Sequence, residues 1–318
     1  MPPHRVRRKT GADLLLRQNS SLQERDGQGR YELAHLLLED EADSAVRYLE
    51  SAAQQNHAAS LDLLGMLYAT GEVVEKDPER AFGYFKQGAA LGNTDAQYHL
   101  GMALNEGFGC TRNLTESFAW LRISARKDHP DAMFAFAVAL EKGLGTEPDP
   151  RQAENLYEQA ALLGSAGALN YQIKKITAQS RPDTVQLLRW LHMACAADLP
   201  VGMIAVARQM LENSPSDTPR AVSLLERSAS LGDVSAMNEL AVLWYDGRFV
   251  PRDWVQAIVY AHMASTAGSR EARRFLEEWR SEADDESLML SIEIASLANR
   301  EEIIKKLRSR QSFGAAVR

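Results

Sequence analysis

LGMLYATGEVVEKDPERAFGYFKQGAALG, residues 64 to 92, holds the pattern that decides the fold. It opens on an apolar stripe at helical spacing, crosses a glycine, and restarts after Asp77 and Pro78 with a second helix that stops at Gly92. Asp77 can accept hydrogen bonds from the free N–H groups of a helix start, and proline fits the first helical position because its missing donor costs nothing there. Ala81, four residues on, is an anchor for aligning the rest of the chain. Anchors, most of them small residues, recur at Ala45, Ala81, Ser117, Ala153, Leu187, Ala221 and Ala257, at intervals of 36, 36, 36, 34, 34 and 36. A fixed period of this size marks a repeat architecture.

Each anchor opens a helix. Four residues before it stand Glu41, Asp77, Asn113, Asp149, Asp183, Asp217 and Asp253, six of them good N-caps. Eleven residues after it stand Asn56, Gly92, Asp128, Gly164, Asp198, Gly232 and Gly268, types that tolerate the left-handed conformation at a helix C-terminus. These second helices are therefore expected to be capped at both ends. Between them lie first helices with one apolar stripe at i, i+3, i+4 and i+7, such as Leu61, Leu64, Gly65 and Tyr68, or Met133, Phe136, Ala137 and Leu140. Glycine or alanine at the third stripe position, as at Gly65 and Gly101, lets a neighbouring helix approach closely. Alternating β-branched runs are missing from the sequence, so the expected fold is all-α.

The segment 64–92 resembles the Sel1-like repeat, a relative of the tetratricopeptide repeat whose paired helices are joined by a glycine-bearing loop. LGMALNEGFGCTRNLTESFAWLRISA (100–125), FAVALEKGLGTEPDPRQAENLYEQAALLG (136–164) and LAVLWYDGRFVPRDWVQAIVYAHMASTAG (240–268) look like further copies. The copies around Leu187 and Ala221 depart from the pattern: their loops ITAQSRPDT and MLENSPSDTP lack the glycines. RYELAHLLLEDEADSAVRYLESAA (30–53) has a still shorter loop and looks like a tetratricopeptide-like cap. Because one helix pair cannot bury its stripe alone, neighbours are expected to stack into a right-handed α/α solenoid of about seven pairs. The expected organisation is a basic N-terminal arm over 1–22, a solenoid over 23–275, and C-terminal capping helices with a basic tail over 276–318. Asn299 and Glu302 make a capping-box-like start for the last helix, EEIIKKLRSR.

Of the 318 residues, 45% are hydrophobic and 25% charged, which excludes disorder along the whole length. No stretch approaches the roughly 20 apolar residues that span a bilayer, and the N-terminus lacks the apolar core of a secretory signal. A soluble, cytoplasmic protein is the expectation. Two distant cysteines, Cys110 and Cys195, build neither a disulfide framework nor a metal knuckle, consistent with a reducing compartment. Cys110 is expected to be exposed, and Cys195 to fill a small-residue packing slot. The net charge of −7 hides an uneven distribution: Arg5, Arg7, Arg8 and Lys9 give the start +4, and residues 300–318 another +4, leaving about −15 for the body. Such a body repels phosphate backbones, so nucleic acid is an unlikely partner except through the basic tails.

No phosphate loop, HExxH, GxSxG or paired catalytic carboxylate occurs at a spacing that carries mechanism, so no catalytic residue, cofactor or metal is expected. The seven histidines lack metal-ligand spacing. The glycines of GFGCTRN and EKGLGTEPDP serve the inter-helix loop rather than a nucleotide.

Function is therefore expected on a surface. The resemblance implies that first helices line a concave groove, at positions one step round from the buried stripe. Those are Asp62 and Met66, Tyr98 and Met102, Phe134 and Val138, Asn170 and Lys174, Ile204 and Arg208, and Asn238 and Val242, with Asn105, Glu106, Asp131, Glu141 and Tyr245 at the border. Tyr98, Met102, Phe134 and Ile204 would form an apolar ladder with polar edges, as a bound peptide or helix requires. Either the ladder is exposed, or superhelical curvature buries it in part. The resemblance implies a non-enzymatic adaptor in a bacterial signalling or assembly pathway, holding a protein or peptide in that groove. The alternative is a regulatory platform whose arms, RVRRK and KKLRSR, bind nucleic acid or an anionic membrane surface.

Overall fold

In the computed structural model, residues 27–38, 41–279, 285–295 and 303–304 are described. The N-terminal arm, the cap at Asn299 and the basic tail lie outside them. The described residues form helices joined by short loops, without strands. First and second helices alternate: α1 (Gly27–Leu37) and α2 (Ala42–Ala53), α3 (Ala58–Thr70) and α4 (Pro78–Ala90), α5 (Thr94–Glu106) and α6 (Leu114–Ala125), α7 (Pro130–Lys142) and α8 (Pro150–Leu162). They continue as α9 (Ala166–Thr177) and α10 (Thr184–Ala196), α11 (Pro200–Asn213) and α12 (Thr218–Ser230), α13 (Val234–Asp246) and α14 (Trp254–Thr266), then α15 (Arg270–Trp279) and α16 (Asp285–Ala295). The described residues divide into two compact units, the first ending at Ala168 and the second beginning at Leu169.

In the first unit each helix from α1 to α7 packs on its successor; in the second the same holds from α10 to α14, and α16 returns onto α14. The stripes of the first helices are the reason. From α3 to α13 every stripe residue is buried except the last of the α11 stripe, Met203, Val206, Ala207 and Met210, where Met210 is half-buried. Large stripe residues such as Leu64, Leu100, Leu169 and Leu240 are at most 1% exposed. Each burial removes apolar surface worth about 1.5–3 kcal/mol.

The expected left-handed residues that end the second helices all have positive φ, from 56° at Asp198 to 99° at Gly268. At the other end the expectation is met in part. Asp77, Asn113, Asp149, Asp183 and Asp253 accept backbone N–H bonds in their side chains, whereas Glu41 and Asp217 do not. A short 3-10 turn, Pro215–Asp217, precedes α12 and leaves Asp217 with helical backbone angles, φ −89° and ψ −1°, from which its carboxylate makes no capping bond. Leu187 also departs from the other anchors: it is half-buried where they are buried.

The loops explain two glycines. Gly109 has φ 65°, and a Cβ there would fall 1.9 Å from the carbonyl oxygen of Pro78 at the start of α4. Gly145, with φ 76°, stands in the same relation to Leu114 at the start of α6, at 2.1 Å. The loop of one repeat therefore touches the backbone of the repeat before it, and only glycine satisfies both the space and the φ.

Candidate functional site: a pocket on the first helices

The exposed side of α5 and α7 carries a pocket of about 470 Å³. Tyr98, Met102 and Asn105 come from α5, Asp131, Phe134, Ala135 and Val138 from α7, and Leu121, Ala139, Leu144 and Gly167 complete it. Tyr98, Met102, Phe134 and Val138 are half-buried, which leaves apolar surface facing the opening. The pair spacing is the cause: residues four apart on one helix share a face, and two neighbouring first helices place two such pairs side by side.

Its walls are held by contacts that begin in helix caps. His129 Nδ1 accepts the Ala132 N–H at 3.0 Å, which fixes the imidazole at the start of α7, and its Nε2 lies 3.2 Å from Asp95. The Tyr98 ring stacks on this histidine at 4.9 Å and 25° and also meets His99 at 5.2 Å. Burial pushes the Tyr98 phenol above its ordinary value, with Asp131 and Glu106 adding to the shift. Asp131 accepts from Ser165 Oγ at 2.8 Å. Phe134 meets Tyr157 at 5.6 Å and lies over Gly167, where a Cβ would fall 2.5 Å from its ring. The result is a fixed concavity with an apolar floor and a polar rim at Asn105 and Asp131.

Other expected groove residues stand elsewhere. On α3, Asp62 bonds His99 Nδ1 at 2.7 Å, and Met66 is exposed. Glu141 accepts from the buried Tyr157 hydroxyl at 2.8 Å and does not line the pocket. On α9, Asn170 is half-buried and Lys174 exposed. Arg208, Asn238 and Val242 line a second pocket, within the second unit.

Three expectations are corrected. Ile204 is 7% exposed and belongs to the core: Gly202, Met203, Ile204, Val206, Ala207 and Leu211 are all buried, so α11 carries a wider apolar arc than α5 or α7 and the ladder does not include Ile204. Tyr245 lines neither of these two pockets; it stacks on Trp279 at 4.3 Å and 10°, meets Trp254 edge-on at 5.5 Å, and carries the Arg252 guanidinium at 4.6 Å. Cys110 is half-buried rather than exposed, its thiol 3.6 Å from the Ala103 carbonyl.

The capping histidines went unread in the sequence, yet a signal was there. His57, Asn93, His129, Ser165, Asp233 and Ser269 all stand twelve residues after an anchor, and all can accept from a helix start. Leu121, Leu144 and Gly167 are different, since they reach the pocket only through packing. Among the described residues no three His, Cys, Asp or Glu side chains gather where a metal ion could sit, and no single helix is long and apolar enough to cross a membrane.

The Sel1 repeat profile matches six segments of the chain, residues 31–57, 58–93, 94–129, 130–165, 200–233 and 234–269. The chain belongs to the Sel1 repeat family. Proteins built from Sel1 repeats are generally protein-interaction scaffolds and typically non-enzymatic. The segment between the matches, 166–199, holds α9 and α10, including the copy around Leu187 whose loop lacks glycine. Comparison with curated proteins gives no match. Among solved structures, a Sel1 repeat protein from Oxalobacter formigenes is similar over 74% of this chain and 99% of its own, with 24% identity and a TM-score of 0.60. This likeness shows the fold, an all-α solenoid of helix pairs. A protective antigen of uropathogenic Escherichia coli strains, displaying an SLR fold, aligns over 95% of this chain and 73% of its own, with 20% identity and a TM-score of 0.47.

Proposed function

We propose that this Sel1 repeat protein is a non-enzymatic adaptor that holds a segment of a partner protein in the pocket formed by Tyr98, Met102, Phe134 and Val138. The observation that carries this is the placement of four half-buried apolar side chains on the outer side of α5 and α7, opposite helix faces already filled by the core. At about 470 Å³ the pocket is of ligand-binding size. Its walls are fixed before a partner arrives, which lowers the ordering cost of binding. The partner segment is a helix or extended peptide presenting an apolar side chain, with Asn105 and Asp131 available to its polar groups. We assign the pocket to a solenoid spanning 23–275, flanked by the N-terminal arm and the capping helices over 276–318. The setting we infer is a bacterial signalling or assembly pathway, as the family resemblance implies, in the cytoplasm.

The test is affinity capture from native cell extract with the intact chain and with Met102→Glu/Val138→Glu, at low and high salt with nuclease. Both positions are half-buried, so the variant should retain its helical circular dichroism and melting curve. A protein captured by the intact chain at both salt concentrations and lost from the variant is the expected result. Identical capture by both chains would refute the pocket as the docking site. Recovery of salt-sensitive nucleic acid or lipid alone would move the function to the basic arms.

A further inference from the structure

The second unit has a pocket of different chemistry. It measures about 540 Å³ and lies against α11 and α13, with Phe249 of the loop after α13 and Glu271 of α15 in its wall. Its apolar surface comes from Val242 and Phe249, both half-buried, above core leucines. Four carboxylates line it, Glu212, Glu239, Asp246 and Glu271, against two guanidinium groups, Arg208 and Arg248. Arg208 is engaged with Glu239, and Arg248 lies 4.8 Å over the Phe249 ring. Glu271 accepts from Asn238 Nδ2 at 3.3 Å. Among the described residues Glu212 and Asp246 have no ion-pair partner. The lining is therefore short of positive charge. Burial pushes the Glu239 carboxyl up, and Asp233 adds to this, while Arg208 opposes it. The first pocket has one carboxylate, Asp131, and no cation in its lining.

We propose that this second pocket docks a cationic segment of a partner protein, with an Arg or Lys side chain meeting Glu212, Asp246 and Glu271 and a neighbouring apolar side chain lying against Val242 and Phe249. The inference rests on the scaffold reading above and adds a second docking site of different specificity. Charge complementarity selects the occupant: the excess carboxylates repel anionic ligands, and a guanidinium supplies the planar donors that carboxylates accept best. The apolar wall distinguishes such a segment from a merely basic one.

The experiment uses the full chain and fluorescence anisotropy with a labelled synthetic peptide, Gly-Ser-Arg-Leu-Phe-Arg-Ser-Gly. One analogue replaces both arginines by glutamate, and another replaces Leu-Phe by Ser-Ser. The parent peptide should bind, and both analogues should bind more weakly. Glu212→Gln/Asp246→Asn should weaken the parent about fivefold or more. Glu75→Gln/Glu79→Gln, the same charge change on the exposed surface of the first unit, should alter it less than about twofold. Equal effects of the two neutralisations, equal binding of the glutamate analogue, or no binding of the parent up to about 1 mM would overturn the proposal. A synthetic peptide of residues 305–318 that outcompetes the parent would also overturn it, assigning the pocket to the chain's own basic segment. Binding should persist in Met102→Glu/Val138→Glu, so this site and the first pocket can fail separately.

Discussion

Gly101→Ala should destabilise the protein although it replaces a helix-interior glycine by the best helix former. A Cβ on Gly101 would fall 2.8 Å from both Cγ and Cδ2 of Leu121, about 0.6 Å short of ordinary contact, with the Leu121 backbone nitrogen behind them at 3.3 Å. Leu121 is 3% exposed, and the clash reaches its branch point as well as its tip, so the side chain has little room to turn away. Overpacking of this kind costs about 1–3 kcal/mol. The gain in helix propensity is about 1 kcal/mol, which leaves a net loss of about 1 kcal/mol. In a Leu121→Ala background, itself costing about 2–5 kcal/mol, the clashing atoms are gone. Gly101→Ala should then stabilise by about 0.5–1 kcal/mol, giving a coupling of about 2 kcal/mol between the two sites. Urea unfolding of the four chains, followed by circular dichroism, measures each midpoint and slope. The same sign of effect in both backgrounds would refute the close helix contact as the reason for glycine.

Capping and thiol chemistry give two further tests. Asp77→Ala removes a 2.9 Å capping bond to the Arg80 N–H and should cost about 1 kcal/mol, whereas Asp217→Ala, where no such bond exists, should cost less than about half of that; urea midpoints separate the two. Burial pushes both thiols up, with Glu116 adding to the shift at Cys110, so each holds less thiolate at neutral pH than a free cysteine. Iodoacetamide should therefore react slowly with the folded chain, its rate rising at higher pH than for a free thiol, and unfolding in urea should accelerate it at pH 7. A folded-state rate equal to that of free cysteine would refute the burial of both.

The repeat was legible because its determinants are local. Whether Asn56, Gly92 or Asp198 can adopt positive φ depends on the clash of a side chain with its own backbone, so seven such residues at a fixed place in the period mark seven helix ends. The stripes follow likewise from 3.6 residues per turn, whereas the choice of the positions one step round, Tyr98 with Met102 and Phe134 with Val138, came from what the family resemblance implies about the first helices. Asp217 sits where a cap belongs, yet a three-residue turn that ends on it removed the geometry. Ile204 holds the ladder position of Tyr98 and Phe134, but α11 packs between α10 and α12 with a wider buried arc that includes it. Tyr245 was drawn into an aromatic stack by Trp279, 34 positions away. The first pocket needed Gly167 beneath Phe134 and His129 behind Tyr98, each fixed by a neighbouring repeat. Sequence alone determined the helices, their ends and their buried faces, because backbone sterics and periodicity act within a few residues. Only the tertiary structure decided which outward-facing side chains enclose a pocket, because enclosure depends on the distance and angle between stacked helix pairs, set by side-chain contacts that no local pattern contains.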